Sequence, residues 1–203
     1  MSTITETLRG WAVQEVVEDR RARYAIGGAA FVLATAFGAQ VAVTLPWTPV
    51  PVTLQPLFVI LAGVVLGPRV GALAIGAYVG LGAMGAPVFS NGGAGLPWLF
   101  GPTGGYLLAA PAAAFVAGAV AGRGGAGLRT LAGLTLGVAT MYVGGVSQLL
   151  LVTGRGFGAV LALAVVPFLV GDVTKILLAF FVVRSGRWTS LFRSQDSDGP
   201  RAS

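Results

Sequence analysis

The sequence has no cysteine, no histidine and few charged residues, and these shortages exclude several classes of function. Without cysteine and histidine, the 203-residue chain forms no disulfide, has no zinc site of the usual kind and supports no histidine-based catalysis. Charged residues make up 10% of the chain, whereas a soluble domain carries about 25%. The phosphate-binding motif G-x-x-x-x-G-K-[ST] of ATP-hydrolysing proteins is also missing. We therefore expect no enzyme, metal or cofactor here.

The charged residues that are present lie mostly at the two ends of the chain. Residues 1–23 and 184–203 hold 14 of them, and the 160 residues in between hold six. A single acid in the apolar block, Asp172, excludes the paired carboxylates that glycoside hydrolases use. The arginines lie at the ends of apolar segments, which is typical of membrane topology and not of a nucleic-acid partner. This pattern indicates an integral membrane protein in a lipid bilayer.

Six apolar stretches approach the length of about 20 residues that a membrane-spanning helix needs. They are residues 24–43, 51–66, 70–85, 105–122, 130–152 and 157–183. Gly67 and Pro68 predict a break between the second and third stretches. Pro167 divides the last stretch into a short interfacial piece and a spanning helix that begins near Phe168. We predict an all-α protein with six transmembrane helices.

The arginines also predict the orientation of these helices. With the N-terminus in the cytoplasm, six spans put 11 arginines on the inner side and only Arg155 on the outer side. We therefore expect a multi-pass protein of the cell membrane with both termini cytoplasmic. We expect residues 1–23 to form a cytoplasmic N-terminal segment, residues 24–185 the membrane domain and residues 186–203 a disordered polar tail. An amphipathic helix over 4–19 and a solvated segment both remain open.

Asp172 and Lys175 are the only acid and the only lysine of the apolar block. Each costs about 2.5–3.5 kcal/mol at the centre of a spanning helix. At positions i and i+3 they share a helix face, so the lysine can neutralise the acid. Two interpretations compete: an ion pair that pins helices together, and a ligand site near the outer end of the last helix. The second is favoured because ionisable residues inside a membrane are usually functional.

Two outer connections carry polar and aromatic residues that could build a pocket. Residues 86–104 are long enough for a lid, with Trp98 to cover an apolar ligand and Asn91 to hydrogen-bond it. A flexible linker is the alternative. In the first outer loop, Thr53 and Gln55 lie where a span begins, and Gln148 lies near the outer end of the fifth span. Each could snorkel to the interface, but their convergence favours a ligand pocket under an outer lid loop.

Ala30, Ala34 and Gly38 recur every four residues along the first span. Such a stripe of small residues lets another helix approach closely. The spacing alone favours packing inside the bundle over docking on a separate membrane protein.

Four short segments together resemble a known family. Residues 50–55 (VPVTLQ), 61–71 (LAGVVLGPRVG), 101–106 (GPTGGY) and 171–175 (GDVTK) are similar to its V-P-x-T-L-Q, L-A-G…L-G-P-R-x-G, G-P-T-G-G-Y and G-D-x-x-K motifs. All four occur in the family's order and cover about residues 25–185. They resemble BioY, the biotin-binding membrane subunit of energy-coupling factor (ECF) transporters.

The resemblance implies six helices and a biotin site near the outer surface. Asp172 and Lys175 would match the family's ligand-binding acid and lysine, with Asn91 and Tyr106 as helpers. The carboxylate could accept from the ureido ring of biotin, and the ammonium could donate to it. Ala30 and Ala34 would then dock on the transmembrane coupling (T) protein, which reverses the interpretation from spacing alone.

The resemblance also implies the energy source. Two partner ATPase subunits would hydrolyse ATP, and the whole loaded subunit would reorient against the coupling protein. The alternative is a solitary biotin carrier that works without ATPase partners.

Overall fold

The computed structural model describes residues 19–122 and 127–186, and this part of the chain is mostly helical. The predictions for residues 1–18 and 187–203 lie outside it. The α-helices are α1 (Arg20–Gln40), α2 (Gln55–Leu66), α3 (Pro68–Ala83), α4 (Leu96–Phe100), α5 (Gly104–Ala121), α6 (Leu128–Thr153), α7 (Phe157–Ala164) and α8 (Leu169–Arg184). Two 3₁₀ turns cover Ser90–Gly92 and Val166–Phe168, and β1 (Ala42–Val43) pairs antiparallel with β2 (Val52–Thr53).

Four apolar segments of the described residues are long enough to cross a membrane: Arg20–Gln40, Gly104–Ala121, Leu128–Thr153 and Phe157–Arg184. The last of these is interrupted by the turn at Val166–Phe168. By contrast, α2 has 12 residues and α3 has 16, or about 18 and 24 Å at the helical rise. These lengths fall short of the bilayer core of about 30 Å. The structure thus agrees with an apolar helical protein whose second and third helices are short.

The first connection explains why α2 is shorter than the predicted stretch 51–66. The β1–β2 pairing keeps the chain extended through Thr53, and α2 begins only at Gln55. Pro56 lies in the first turn of α2, where the missing N–H costs nothing. The same pairing ends α1 at Gln40, before the predicted end at residue 43. The predicted boundaries were wrong here because apolar residues also occur in the paired connection.

The two predicted proline breaks are confirmed. Gly67 has φ +85°, a value that favours glycine, and α3 starts at the next residue, Pro68. Pro167 lies in the 3₁₀ turn that separates α7 from α8. Because this turn ends at Phe168, α8 begins at Leu169.

The connection between α3 and α5 contains the Ser90–Gly92 turn and α4, so it is more structured than a plain linker. Three long side chains hold its backbone. Gln40 donates to Phe89 O (2.9 Å) and accepts from Gly92 N (3.0 Å), and Tyr78 donates to Val88 O (3.0 Å). Gln148 donates to the carbonyls of Leu99 and Gly101 at 2.7 and 2.8 Å. The connection is thereby fixed to α1, α3 and α6.

The end of the bundle near the Gly67–Pro68 turn, called here the glycine end, is packed backbone against backbone. A Cβ on Gly63 would collide with the carbonyl of Ala114, and one on Gly118 would collide with the carbonyl of Gly63. Gly71 and Gly133 make similar close approaches. Small residues thus bring α2, α3, α5 and α6 together without side chains between them.

The small-residue stripe of α1 does not lie on one surface. Ala30 is exposed, Ala34 is half-buried and Gly38 is buried. A Cβ on Gly38 would lie 2.6 Å from Cδ2 of Phe58 in α2. Gly38 therefore serves packing within the bundle, while Ala30 shares the exposed side of α1 with Leu33 and Phe37.

Candidate ligand-binding site

A pocket of about 610 Å³, including the space at its mouth, lies at the opposite end of the bundle. This pocket end is built from the start of α2, the connection before α5, the start of α5, the middle of α6 and the α7–α8 break. The pocket is lined by Val50, Pro51, Thr53, Gln55, Pro56, Ser90, Trp98, Thr103, Tyr106, Leu107, Val138, Met141, Tyr142, Phe168, Asp172 and Lys175.

Asp172 and Lys175 face this pocket from the first two turns of α8. Lys175 Nζ lies 2.6 Å from Asp172 Oδ1, and each residue is only 5% exposed. Both partners belong to one helix, so the pair does not pin two helices together through its own contact. The pair is held below the surface with open space beside it.

Tyr142 of α6 completes this cluster, and the sequence analysis did not single it out. Its hydroxyl donates to Asp172 Oδ2 at 2.5 Å, so both oxygens of the carboxylate have a donor. A hydroxyl in the middle of an apolar span needs a partner. The sequence signal that could have pointed to Tyr142 was Asp172, the only acid of the apolar block and therefore the obvious acceptor for a buried hydroxyl. Tyr142 links α6 to the charged pair of α8.

Several polar groups of the pocket wall remain available to a ligand. Gln55 and Ser90 are 6% and 5% exposed, and their side chains make no hydrogen bond within the described residues. Trp98 Nε1 is buried and has no acceptor in the same part of the chain. Lys175 uses one of its three N–H donors on Asp172. Buried polar groups normally have partners, so this wall is suited to a partly polar guest.

Tyr106 lines the pocket with its ring, while its hydroxyl donates to Ala164 O at 2.6 Å. The ring centroid lies 6.5 Å from that of Phe168. Leu107, Val138 and Met141 add apolar surface next to these rings. The pocket thus combines an apolar wall with the charged pair.

Six of the eight residues predicted to bind a ligand meet at the pocket: Asp172, Lys175, Gln55, Thr53, Trp98 and Tyr106. Gln148 is not on the lining, because its amide donates to the connection before α5. Asn91 is exposed in the Ser90–Gly92 turn, with φ 55°. Among the described residues, no group of three acids could hold a metal ion.

Comparison with known proteins gives consistent results. The model of the BioY family matches residues 12–191. A probable biotin transporter BioY of Pyrococcus horikoshii is 44% identical over 154 residues, which cover 76% of this chain and 90% of that protein. A biotin transporter BioY of Thermotoga maritima is 39% identical over 140 residues, covering 69% and 82%.

A solved structure is also similar. It is the crystal structure of the S-component for biotin from an ECF-type ABC transporter, with a TM-score of 0.77 and 25% sequence identity. The similarity covers 87% of this chain and 98% of that one. The family match spans most of the chain and agrees with the four motifs and with the fold. The chain therefore belongs to the BioY family.

Proposed function

We propose that this chain binds biotin as the S component of an ATP-driven ECF transporter and mediates biotin uptake. The observation that carries the proposal is the Asp172–Lys175 pair, buried beside a pocket with unpartnered polar groups. The names of the similar proteins and of the similar solved structure support biotin as the ligand. The protein would perform no chemistry on its ligand.

The polar end of the pocket matches the ureido ring of biotin, which offers two N–H donors and one carbonyl acceptor. The Asp172 oxygens each have a second lone pair besides the one used by Lys175 or Tyr142. They can accept from the ring N–H groups, while the remaining Lys175 donors face the ring carbonyl. Charge-assisted hydrogen bonds of this kind are about twice as strong as neutral ones.

The rest of the pocket suits the apolar and acidic parts of biotin. Tyr106, Trp98 and Phe168 would cover the thioether ring and the chain. The hydroxyl of Ser90, the indole N–H of Trp98 and the amide of Gln55 would receive the valerate carboxylate, with Thr53 beside them. We propose that residues 86–104 cover the pocket as a lid, which Gln40, Tyr78 and Gln148 hold in place. Asn91 of this lid remains a proposed ligand contact, whereas Gln148 would hold the lid instead of binding biotin.

We further propose six membrane spans, with the pocket outside and both termini in the cytoplasm. The helix order supports this orientation. Arg69 and Arg129 at the starts of α3 and α6, and Arg184 at the end of α8, are all exposed and all belong to the glycine end. The side of a membrane protein that is rich in arginine usually faces the cytoplasm, so the glycine end would face inward. The short helices α2 and α3 meet at Gly67 on that inner side.

The transmembrane coupling (T) protein and two ATPase subunits are the proposed partners, and Ala30 and Ala34 are the proposed docking residues. The glycine end supports reorientation of the whole subunit as the delivery mechanism. If biotin instead crossed the membrane through the middle of the bundle, the helices would have to separate where Gly63 contacts Ala114 and Gly118. Turning the loaded subunit leaves that packing intact, and the ATPases would supply the energy.

A thermal-shift panel of vitamins on the detergent-purified protein tests the ligand. A ligand that binds only the folded state at 100 times its Kd stabilises it by about 2.7 kcal/mol. We expect biotin to raise the melting temperature, and the other vitamins of the panel to leave it unchanged. No shift with biotin, or a larger shift with another vitamin, would contradict the proposal.

A further inference from the structure

The α7–α8 break leaves two backbone carbonyls without their helical partners. In a continuous helix Leu163 O would accept from the N–H of residue 167, but that residue is Pro167 and has no N–H. Ala164 O would accept from Phe168 N, which donates to Val165 O at 3.0 Å instead. Both carbonyls lie in part-buried surroundings, and a buried backbone group without a partner is costly.

Hydroxyl groups from two other elements satisfy these carbonyls. Thr48 Oγ1 donates to Leu163 O at 2.8 Å, and Tyr106 Oη donates to Ala164 O at 2.6 Å. Thr48 belongs to the connection between α1 and α2 and is 8% exposed. The hydroxyl of Thr48 therefore replaces the N–H that Pro167 lacks.

The same hydroxyl also contacts a second segment of the pocket wall. Thr48 Oγ1 accepts from Val50 N at 3.3 Å, and Val50 lines the pocket. Phe168, one residue beyond Pro167, also lines it. One hydroxyl thus joins the extended wall before α2 to the segment where α8 begins.

We propose that Thr48 is a positioning residue for ligand binding, although it is not among the residues that line the pocket. Its hydroxyl fixes the start of α8 against the first connection. Asp172 and Lys175 follow in the first two turns of α8, so their position relative to the pocket depends on this link. The effect on biotin rests on the proposed function, whereas the link itself does not.

The test compares variants that keep or remove the hydroxyl. Thr48→Val removes it with little change in shape, and Thr48→Ser keeps it. Thr135→Val is the matched control, because the Thr135 hydroxyl bonds only Leu131 O of its own helix and is exposed. We expect Thr48→Val to raise the Kd for biotin by about tenfold, and the other two variants to stay within about twofold of the wild type.

Thr48→Ser makes the test specific, because it keeps the hydroxyl that links the two segments. An equal loss of biotin affinity in Thr48→Val and Thr48→Ser would show general damage at this position and would overturn the proposal. A Thr48→Val variant that binds biotin like the wild type would also overturn it.

Hydrogen–deuterium exchange of the ligand-free protein provides a readout that does not need biotin. We expect Thr48→Val, and not Thr135→Val, to accelerate exchange in peptides that cover residues 160–171. Unchanged exchange in Thr48→Val would overturn the link even if affinity fell, and faster exchange with wild-type affinity would overturn the positioning role. If the wild type bound no biotin, the proposed function would fail, while the exchange result would still decide on the link.

Discussion

The glycine end and the pocket end of the bundle are made from the same helices, but α2 packs differently at the two ends. At the glycine end, Gly63 and Gly118 bring main chains into direct contact. At the pocket end, Tyr106, Tyr142 and Phe168 project between the helices and line an open space. The α5 and α6 backbones stay in close contact at both ends, at Gly133 and Ala117 near the glycine end and at Gly105 and Gly144 near the pocket end. The cavity therefore opens between this helix pair and the starts of α2 and α8.

The two ends of the bundle serve two different tasks, close helix packing and ligand binding. At the glycine end, close backbone approach of α2 to α5 supplies dispersion contacts. At the pocket end, large side chains line the space beside α2 and α8, and hydroxyls or amides fix the walls. Changes at the glycine end should therefore affect stability first, and changes at the pocket end should affect binding first.

The largest expected effect is at the glycine end. Gly63→Ala places a methyl group against the Ala114 carbonyl, so we expect the free energy of unfolding to fall by about 3 kcal/mol. Gly76→Ala is the control, because a Cβ there meets nothing within 4 Å. Thermal unfolding in detergent measures both, and equal stability of the two variants would contradict the close packing at the glycine end.

The next effect is at the charged pair. Lys175→Met leaves the Asp172 carboxylate with Tyr142 as its remaining donor, and Asp172→Asn removes the charge that Lys175 neutralises. We expect each variant to weaken biotin binding by at least about tenfold while the protein still inserts in the membrane. Unchanged affinity in both variants would remove the pair from the site.

Tyr142→Phe should have a smaller effect in the same direction. It deletes one hydrogen bond to Asp172 and keeps the ring, so we expect the Kd for biotin to rise by about fivefold. Thr140→Val on the same helix is the control, because its hydroxyl bonds only Leu136 O. If Tyr142→Phe matched the control, the hydroxyl would have no part in ligand binding.

The smallest effect on the pocket is expected from the exposed side of α1. Ala30→Trp should leave biotin affinity unchanged and should impair uptake that depends on the coupling protein, because the bulky ring prevents close docking. Leu73→Trp is the control, since Leu73 is 73% exposed on α3. Uptake by membrane vesicles distinguishes the two, and normal uptake with Ala30→Trp would exclude the docking surface.

Features with a local cause could be predicted from the sequence. Gly67 and Pro68 end one helix and start the next through their own backbone preferences, and Pro167 interrupts α7–α8 in the same way. Asp172 and Lys175 were identifiable because isolated charges are expensive in an apolar segment. The sequence spacing also puts both on one face of α8.

Features that depend on packing between distant segments could not be read from the sequence. The role of Thr48 requires the meeting of two segments 115 residues apart, and Gln148 bonds backbone that no pattern predicts. The start of α2 at Gln55 depends on the β1–β2 pairing. The spacing alone favoured packing inside the bundle for Gly38, but only the fold shows that its neighbour is the ring of Phe58.

Equilibrium dialysis of labelled biotin against the purified wild type and the double variant Asp172→Asn, Lys175→Met tests the central claim most directly. The wild type is expected to bind one biotin per chain in a saturable manner, and the double variant is expected to lose that binding while its unfolding remains cooperative. Equal binding by both proteins, or no saturable binding by the wild type, would contradict the account.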